Sequence, residues 1–331
     1  MTPFKAYLID EKEGVTRSDF VTVDESQLDP GEVTIKVAYS SVNFKDALAA
    51  TGAGRIIRRY PCVGGIDLSG TVEASSDPRF QAGDAVIATS FDIGVAHHGG
   101  YAEYARVPAK WVVPLPKGLS LYESMALGTA GFTAALGVVR MEENGLDPTR
   151  GPVIVTGASG GVGSLAVDML ARRGYQVTAL TGKASEAEYL ADLGATKVML
   201  RSTIDLSRIR PLDKTLWAGA VENLGCEVLA GGSSTMQQGG TIASIGLAAS
   251  PSLKTTVMPF ILRGACLLGI DSGYIGEPYR TGIWQRLASD LRPQHLHTMT
   301  RSIAFDDLPG VFDDYLKGRA HGRVVVDICG A

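Results

Sequence analysis

The pattern of hydrophobic and polar positions divides the chain into two regions. Over residues 1–115, short segments such as Val33–Val37 and Asp84–Ala88 carry apolar side chains at alternate positions or in brief runs, and turn residues such as Asp29-Pro30-Gly31 separate them. Alternation with a period of two gives a strand one apolar face, and short, evenly spaced strands are typical of a small barrel or sandwich. This pattern predicts a β-rich region.

From Ser120 onward the pattern changes to strands that alternate with helices. Ser120 and Glu123 form an S-x-x-E capping box, which predicts that a helix begins there, and Ser185–Glu188 repeats the motif. Six apolar segments with helical crossovers between them predict a doubly wound parallel sheet. These segments are 153–157, 175–181, 197–200, 219–222, 240–246 and 266–270.

The end of the chain returns to mixed character and closes with a predicted strand at Gly322–Asp327. We therefore expect an α/β protein with two domains. Residues 1–120 and 272–331 are expected to form a β-rich catalytic domain, and residues 121–271 a Rossmann domain.

A glycine-rich turn joins the first strand of the parallel sheet to its first helix. Gly157, Gly160 and Gly163 are spaced G-x-x-G-x-x-G, and the following helix is expected to end at Gly174. Glycine lets the backbone approach a pyrophosphate, and the helix N-terminus supplies free N–H groups. With a buried strand before it and an amphipathic helix after it, the motif predicts a dinucleotide site rather than a ligand-free turn.

The end of the second predicted strand indicates which dinucleotide binds. An NAD site usually has Asp or Glu about 20 residues after the glycines, where the carboxylate accepts a hydrogen bond from the ribose 2′-OH. Here the strand ends Thr181-Gly182-Lys183, and Arg201 follows the third strand. Each charge-assisted hydrogen bond from these cations to a 2′-phosphate would contribute about 1.5–3 kcal/mol. The sequence therefore favours NADPH over NADH.

Composition excludes several functional classes. Lys and Arg number 31 against 35 Asp and Glu, a net charge of −4, so the basic excess of a nucleic-acid binder is missing. No apolar run of about 18 residues predicts a membrane span, and the 4 cysteines lack metal-binding spacing. A cytoplasmic protein without nucleic-acid or membrane partners is expected.

Short-chain dehydrogenases, which have a similar glycine turn, are disfavoured. In that class the turn lies near the N-terminus and a tyrosine is followed by lysine four residues later. Here the motif begins at Val155, and no tyrosine has lysine at that spacing; Tyr315 with Arg319 is the nearest approach.

A β-rich domain followed by a dinucleotide domain resembles the medium-chain dehydrogenase/reductase superfamily. Zinc members carry a Gly-His-Glu signature, but the matching stretch Gly65–Gly70 has Ile66 where the histidine would be, and the 5 histidines show no metal-ligand spacing, so no metal is expected. Within the zinc-free branch, four segments are similar to the acrylyl-CoA reductase group, once known as quinone oxidoreductases. They are Ser40–Asp46, Gly128–Ala134, Trp217–Ala220 and Thr255–Arg263.

The resemblance implies a GroES-like catalytic domain with a Rossmann domain, NADPH-dependent reduction of acrylyl-CoA to propionyl-CoA, a homodimer and a cytoplasmic setting. Phe44 stands where the group commonly has tyrosine, so its contact would be ring packing or backbone only. The cofactor contacts that the resemblance implies are Phe44, Thr133, Ser159, Gly160, Gly161, Val162, Thr181, Gly182, Lys183, Arg201, Leu247, Ile261 and Ser272.

Candidate catalytic residues follow from the chemistry of an α,β-unsaturated thioester. Hydride adds at Cβ, and the charge that develops on the thioester oxygen needs a hydrogen-bond donor. Asn43 is the leading candidate for this donor, although capping the turn at Lys45–Leu48 is an equally good interpretation. Asp46 is expected to orient Lys45 or cap the same turn.

Cations are expected to contact the phosphates of CoA, and Arg323 is singled out because it closes the turn Gly318–Arg323. Two alternatives to the acrylyl-CoA reductase remain open: an NADPH:quinone or enone oxidoreductase, and a non-catalytic NADPH-binding protein. The other arginines considered for CoA are Arg55, Arg58, Arg59 and Arg319.

Overall fold

The computed structural model describes residues 2–330, which divide into two units. The first unit contains the residues up to Thr129, Gly273–Ala288 and those from Leu296 onward, and the second contains Ala130–Ser272 and Ser289–His295. The strands are β1 (Phe4–Lys12), β2 (Val15–Val23), β3 (Val33–Val42), β4 (Cys62–Val63), β5 (Asp67–Ser75), β6 (Ala85–Thr89), β7 (Tyr104–Val107), β8 (Val112–Pro114), β9 (Val153–Thr156), β10 (Val177–Thr181), β11 (Lys197–Leu200), β12 (Trp217–Glu222), β13 (Met236–Ser244), β14 (Cys266–Gly269), β15 (Thr300–Ala304) and β16 (Arg323–Asp327). The α-helices are α1 (Phe44–Thr51), α2 (Leu121–Glu143), α3 (Gly161–Arg172), α4 (Ala187–Asp192), α5 (Cys226–Ser234), α6 (Met258–Arg263), α7 (Tyr279–Leu287) and α8 (Leu308–Leu316).

The first unit is built on two sheets. One follows the order β15-β16-β3-β5-β6-β8, with β7 also paired to β3, and the other is β2-β1-β4. All pairs are antiparallel except β15 with β16. Val33, Ile35 and Val37 are all fully buried, as the alternating pattern predicts for a strand with one face in the core.

The second unit contains the predicted parallel sheet, in the order β11-β10-β9-β12-β13-β14. Each of the six predicted apolar segments forms one of these strands, so the doubly wound fold is confirmed. Helix α3 buries Leu165, Ala166, Met169 and Leu170 and ends at Arg172. Gly174 then adopts φ +84°, the left-handed conformation that favours glycine after a helix.

Helix α2 contains a break that matters for the site. The capping box at its start is confirmed, because Ser120 N–H donates to the Glu123 carboxylate and Glu123 N–H donates to Ser120 Oγ. At Gly128 the backbone leaves helical geometry (φ 52°, ψ −157°). The helix is long and apolar enough to cross a membrane, but 89% of its most apolar window is buried, as in a core helix.

Two local features differ from the sequence-based expectations. The units divide after Thr129, beside the break in α2, rather than after residue 120. Ser289–His295 belongs to the second unit, where the Asp168 carboxylate accepts the backbone N–H groups of Gln294 and His295. The prediction of a second capping box at Ser185–Glu188 is wrong. A 3-10 turn at Ala184–Glu186 precedes α4, and neither element has a side-chain cap.

Candidate functional site

The glycine-rich turn of the second unit has the form that a pyrophosphate requires. Gly157 has φ +58°, and a Cβ at Gly163 would lie only 2.3 Å from the Gly157 carbonyl oxygen. Glycine at 163 therefore allows α3 to begin directly against the turn. Gly160 is the N-cap and supplies no side-chain cap, so the first N–H groups of α3, from Gly161 and Val162, have no side-chain acceptor at the cap position.

Buried hydroxyl groups connect this turn to the end of β10. Ser159 and Thr181 are both buried, with their hydroxyl oxygens 3.3 Å apart. Thr181 Oγ1 also accepts the backbone N–H of Lys183 at 3.1 Å. Gly182, which lies between Thr181 and Lys183 in the chain, is exposed, and no atom lies within 4 Å of where its Cβ would be. The loop after β10 is thus fixed in place by Thr181, which positions the backbone of Lys183.

Arg201 lies at the same edge of the sheet. Strand β11 runs parallel to β10 with Leu200 paired to Thr181, so Arg201 and Lys183 follow the ends of neighbouring strands. Arg201 is exposed and Lys183 is half-buried. No carboxylate occupies the position directly after β10, where an NAD site has its acid. This edge therefore offers positive charge to an adenosine ribose.

The remaining predicted cofactor residues fall into three places. Thr133 is buried at the second unit's end of α2 and donates to Ser272 Oγ at 2.6 Å, so the structure brings these two together. Leu247 and Ile261 are 64% and 71% exposed, on the segment between β13 and β14. Phe44 is the first residue of α1 in the other unit and is 44% exposed, with its ring available to a ligand.

A cluster of polar side chains lies at the start of α1 in the first unit. It consists of Asn43, Asp46, Asp67 and Arg323, called the carboxylate cluster below. Asn43 donates one amide hydrogen to Asp67 Oδ2 at 2.8 Å and the other to Asp46 Oδ2 at 3.2 Å, and its Oδ1 accepts from Arg323 Nη1 at 3.2 Å. Asn43 therefore joins the two carboxylates and the guanidinium in one network.

Asp46 serves as a capping residue within this cluster. Its carboxylate accepts the backbone N–H of Asn43 at 2.8 Å and that of Ile66 at 3.0 Å. These partners fit the predicted capping role, and the structure gives no contact to Lys45. Burial, together with the negative charge of Asp67, raises the pKa of Asp46 to about 7.

Arg323 is buried at the start of β16 and is only 1% exposed. Besides Asn43, it donates to the carbonyl oxygen of Ala126 at 2.9 Å and to Ser41 Oγ at 3.0 Å. The expectation that it contacts a CoA phosphate is wrong for this structure, because a phosphate in solvent cannot reach a guanidinium enclosed by backbone carbonyls. The turn before it made the residue look exposed.

Sequence reasoning missed Asp67 and the residues that hold it. Asp67 is fully buried and accepts hydrogen bonds from Ser41 Oγ (2.7 Å), from Thr129 N–H (2.9 Å) and from Asn43. The break at Gly128 directs the Thr129 N–H at this carboxylate. An acid in the Gly65–Gly70 stretch, where zinc relatives have Gly-His-Glu, was the available signal.

The surface arginines proposed for CoA are mostly paired with acids. Arg58 contacts Asp92, Arg59 contacts Asp29, and Arg319 donates to Asp314 at 2.8 Å. Arg55 is exposed. Such exposed ion pairs contribute little and exchange readily.

The residues present do not fit a catalytic zinc ion. Within residues 2–330, no group of three or more His, Cys, Asp or Glu side chains is arranged to hold a metal. His97 Nε2 contacts the Arg106 carbonyl oxygen at 2.7 Å, His98 Nδ1 accepts Val63 N–H at 3.0 Å, and His295 contacts Asp168. Each of these rings has a structural partner instead.

Comparison with known proteins gives a consistent set of relatives. Residues 29–117 match the family described as "Alcohol dehydrogenase GroES-like domain", and residues 161–289 match "Zinc-binding dehydrogenase". Acrylyl-CoA reductase AcuI of Ruegeria pomeroyi is 47% identical over 98% of this chain and 99% of its own.

Two solved structures are similar over nearly their whole length. The yhdH oxidoreductase of Salmonella enterica in complex with NADP has a TM-score of 0.95 and 45% identity, over 98% of this chain and 99% of that one. Bacillus subtilis yhfP with NAD bound has a TM-score of 0.96 and 47% identity, over 99% and 100%. A putative quinone oxidoreductase YhfP of the same organism is 49% identical over 93% of both chains.

Proposed function

The chain belongs to the acrylyl-CoA reductase group of the medium-chain dehydrogenase/reductase family, and from this premise we propose that it reduces the C=C bond of acrylyl-CoA to propionyl-CoA with NADPH. The observation that carries the proposal is the 47% identity with acrylyl-CoA reductase AcuI, which extends over 98% of this chain. The site geometry supports the cofactor half of the proposal, because Lys183 and Arg201 follow the ends of neighbouring strands and no acid directly follows β10.

Residues of the second unit would hold NADPH. The glycine turn and the N–H groups of Gly161 and Val162 fit the pyrophosphate, and Lys183 and Arg201 fit the 2′-phosphate of the adenosine ribose. Ser159 and Gly160 belong to this turn, and Thr181 and Gly182 to the end of β10 and the loop after it. Thr133, Leu247, Ile261 and Ser272 are the further proposed contacts of this unit, and Phe44 of the first unit is a proposed contact as well. When bound, NADPH supplies the hydride.

The reaction requires little from the protein except orientation and charge stabilisation. The hydride forms the new C–H bond at Cβ, the C=C electron pair moves to the thioester as an enolate, and a solvent proton then adds at Cα. A donor placed at the developing oxyanion contributes roughly 10²–10³ in rate.

We propose Asn43 as that donor, supported by its position as the half-buried member of the carboxylate cluster. Both of its amide hydrogens are committed to carboxylates, but the bond to Asp46 is the longer one at 3.2 Å. Because the pKa of Asp46 is about 7, protonation of that carboxylate near neutral pH weakens its hold on the amide. Asp46 and Arg323, both buried, act as positioning residues for Asn43.

Comparing electron acceptors tests the proposal. Purified protein is mixed with NADPH and either acrylyl-CoA, crotonyl-CoA or a benzoquinone, and oxidation of the nicotinamide is followed by absorbance. We expect rapid oxidation with acrylyl-CoA. Oxidation with the quinone alone would replace the proposal with the quinone reductase alternative, which the name of the YhfP relative favours. No oxidation with any acceptor, in protein that binds NADPH, would leave only a cofactor-binding protein.

We also propose that the chain forms a homodimer. Strand β14 is the last strand of the parallel sheet, and exposed apolar residues lie on it and in the segment that precedes it. Such a surface beside an open sheet edge is typical of an association site. Sedimentation should give a dimer for the wild type and a monomer for Leu262→Glu; a wild-type monomer would refute this. Apart from Leu247 and Ile261, which are proposed cofactor contacts, the exposed apolar residues are Leu253, Val257, Met258, Leu262 and Leu267.

A cytoplasmic setting is proposed as well. The four cysteines, Cys62, Cys226, Cys266 and Cys329, are all free in the structure, as expected in a reducing compartment.

A further inference from the structure

A cavity lies in the dinucleotide-binding unit, against one face of the parallel sheet. It has a volume of about 310 Å³ and lies between the sheet, helix α5 and a covering segment, residues 201–216. Apart from a 3-10 turn at Arg201–Thr203, the covering segment has no helix or strand. A doubly wound sheet normally has helices on both faces, and here an irregular segment leaves room against one of them.

The floor of the cavity is apolar and buried. Ile154, Leu180, Ala220 and Ile242 come from four neighbouring strands and are between 0% and 6% exposed. The covering segment adds Ile204, Leu206 and Ile209, and α5 adds Val228 and Leu229. A concave apolar surface of this kind favours a hydrocarbon over water.

The polar groups at the inner end of the cavity already have partners. Glu222 accepts from Thr156 Oγ1 at 3.0 Å, from Leu224 N–H at 3.0 Å and from Gly225 N–H at 2.9 Å. Because these hydrogen bonds satisfy the Glu222 carboxylate, a ligand needs no polar group at the inner end of the cavity.

The mouth of the cavity is charged. Arg208, Arg210 and Lys214 line it and are exposed, and within residues 2–330 none of their three side chains has a hydrogen bond or an ion pair. Of the two acids beside them, Asp205 accepts the N–H and hydroxyl of Ser207, and Asp213 Oδ1 accepts the N–H of Lys214. Three cations against two acids leave a net positive mouth above an apolar interior.

We propose that this cavity binds an unbranched carboxylate of medium length, with the chain against the sheet and the carboxylate among the three cations. A methylene group takes up about the volume of a water, ~30 Å³, so the cavity holds a chain of about eight to ten carbons. The cavity reaches Thr156, the residue before the dinucleotide turn, but the proposal does not depend on which substrate the enzyme reduces.

Trp217 provides a direct signal for binding, because it lines the cavity, while Trp111 and Trp284 belong to the first unit. Decanoate brominated at its methyl end should quench Trp217 fluorescence in a saturable way. The quenching should be absent in Trp217→Phe, and unlabelled decanoate should compete it away. Quenching that rises linearly without saturation would overturn the proposal.

Gly232→Leu tests the place of binding. Gly232 lines the cavity on α5, and no atom lies within 4 Å of where its Cβ would be, so a Cβ can be added there without a clash, and leucine is chosen to take up space at this wall of the cavity. Gly310→Leu is the matched control, since Gly310 is an exposed helical glycine of α8 with equally open surroundings. Saturable quenching should disappear only in Gly232→Leu; its survival there would refute the cavity as the site. The circular dichroism spectrum and NADPH binding confirm that both variants fold.

Charge variants test the head group without relying on that substitution. Arg208→Gln and Lys214→Gln alter exposed side chains and should each weaken decanoate binding about three- to fivefold, the strength of an exposed ion pair. The same variants should leave binding of the brominated alcohol unchanged. If the alcohol binds the wild type as tightly as the carboxylate does, the mouth selects no anion and the proposal fails.

Discussion

Replacing Gly128 with alanine should strongly destabilise the first unit. The backbone at Gly128 has φ 52° and ψ −157°, inside a helix whose other residues are helical. A Cβ there would lie 2.6 Å from Asp67 Oδ2 and 2.8 Å from both Arg323 Nη2 and Ser41 Oγ. The methyl group would therefore enter the centre of the carboxylate cluster.

Two costs add in this variant. An L-residue in this sparsely populated conformation costs about 1–3 kcal/mol. The clash also forces Asp67 away from Ser41 or Thr129, and a buried hydrogen bond to a charged group contributes about 1.5–3 kcal/mol. We therefore expect Gly128→Ala to lower the free energy of unfolding by roughly 3–6 kcal/mol, and to lower kcat in whatever protein remains folded because Asn43 moves with Asp67.

Urea unfolding followed by tryptophan fluorescence measures the loss. Gly83→Ala is the matched control: Gly83 also has a positive φ, +93°, but no atom lies within 4 Å of its Cβ position. The control should lose only the backbone cost, about 1–2 kcal/mol. If Gly128→Ala loses no more than Gly83→Ala, the cluster does not depend on this glycine and the reasoning fails.

Two further predictions follow from the same geometry. The pKa of Asp46 is about 7 in the folded protein, against an ordinary value of 3.8, so between pH 4 and 7 the native state holds a proton that the unfolded state has released. The free energy of unfolding should therefore fall by up to about 4 kcal/mol as the pH rises from 4 to 7. Asp46→Asn should remove this part of the pH dependence, and an unchanged slope in urea unfolding at several pH values would count against it. Gly163→Ala should weaken NADPH binding at least about tenfold in a fluorescence titration, because the new Cβ meets the Gly157 carbonyl oxygen and α3 must move from the pyrophosphate site. The control Gly232→Ala, whose Cβ lies in open space, should bind NADPH normally. Equal NADPH affinities of the two variants would contradict the role of the turn.

Local chemistry made the dinucleotide unit predictable from sequence. The apolar strand before Gly157, the amphipathic spacing of α3 and the glycine at 174 all act over a few residues, so each can be read directly. The position of Arg201 beside Lys183 followed from strand order in a parallel sheet. The capping box predicted at Ser185 is wrong because the motif alone does not require a cap, and here a 3-10 turn precedes the helix.

The carboxylate cluster was less predictable because it is assembled from distant segments. Asp67 receives hydrogen bonds from Asn43 and Thr129, and Arg323 reaches Asn43 from 280 positions along the chain. No local pattern reports such contacts. Arg323 looked exposed because it ends a turn, but its side chain points into the cluster, where carbonyl oxygens and Ser41 satisfy its donors.

The most direct measurement is the ratio of the dissociation constants of NADPH and NADH, for the wild type and for Lys183→Asp. If Lys183 and Arg201 contact the 2′-phosphate, wild-type protein should bind NADPH at least about 10- to 100-fold more tightly than NADH, because a single charge-assisted hydrogen bond contributes about 1.5–3 kcal/mol. Lys183→Asp should weaken the binding of NADPH by a similar factor and leave the affinity for NADH nearly unchanged. Equal affinity of the wild type for the two coenzymes, or an equal loss of both in the variant, would contradict the account.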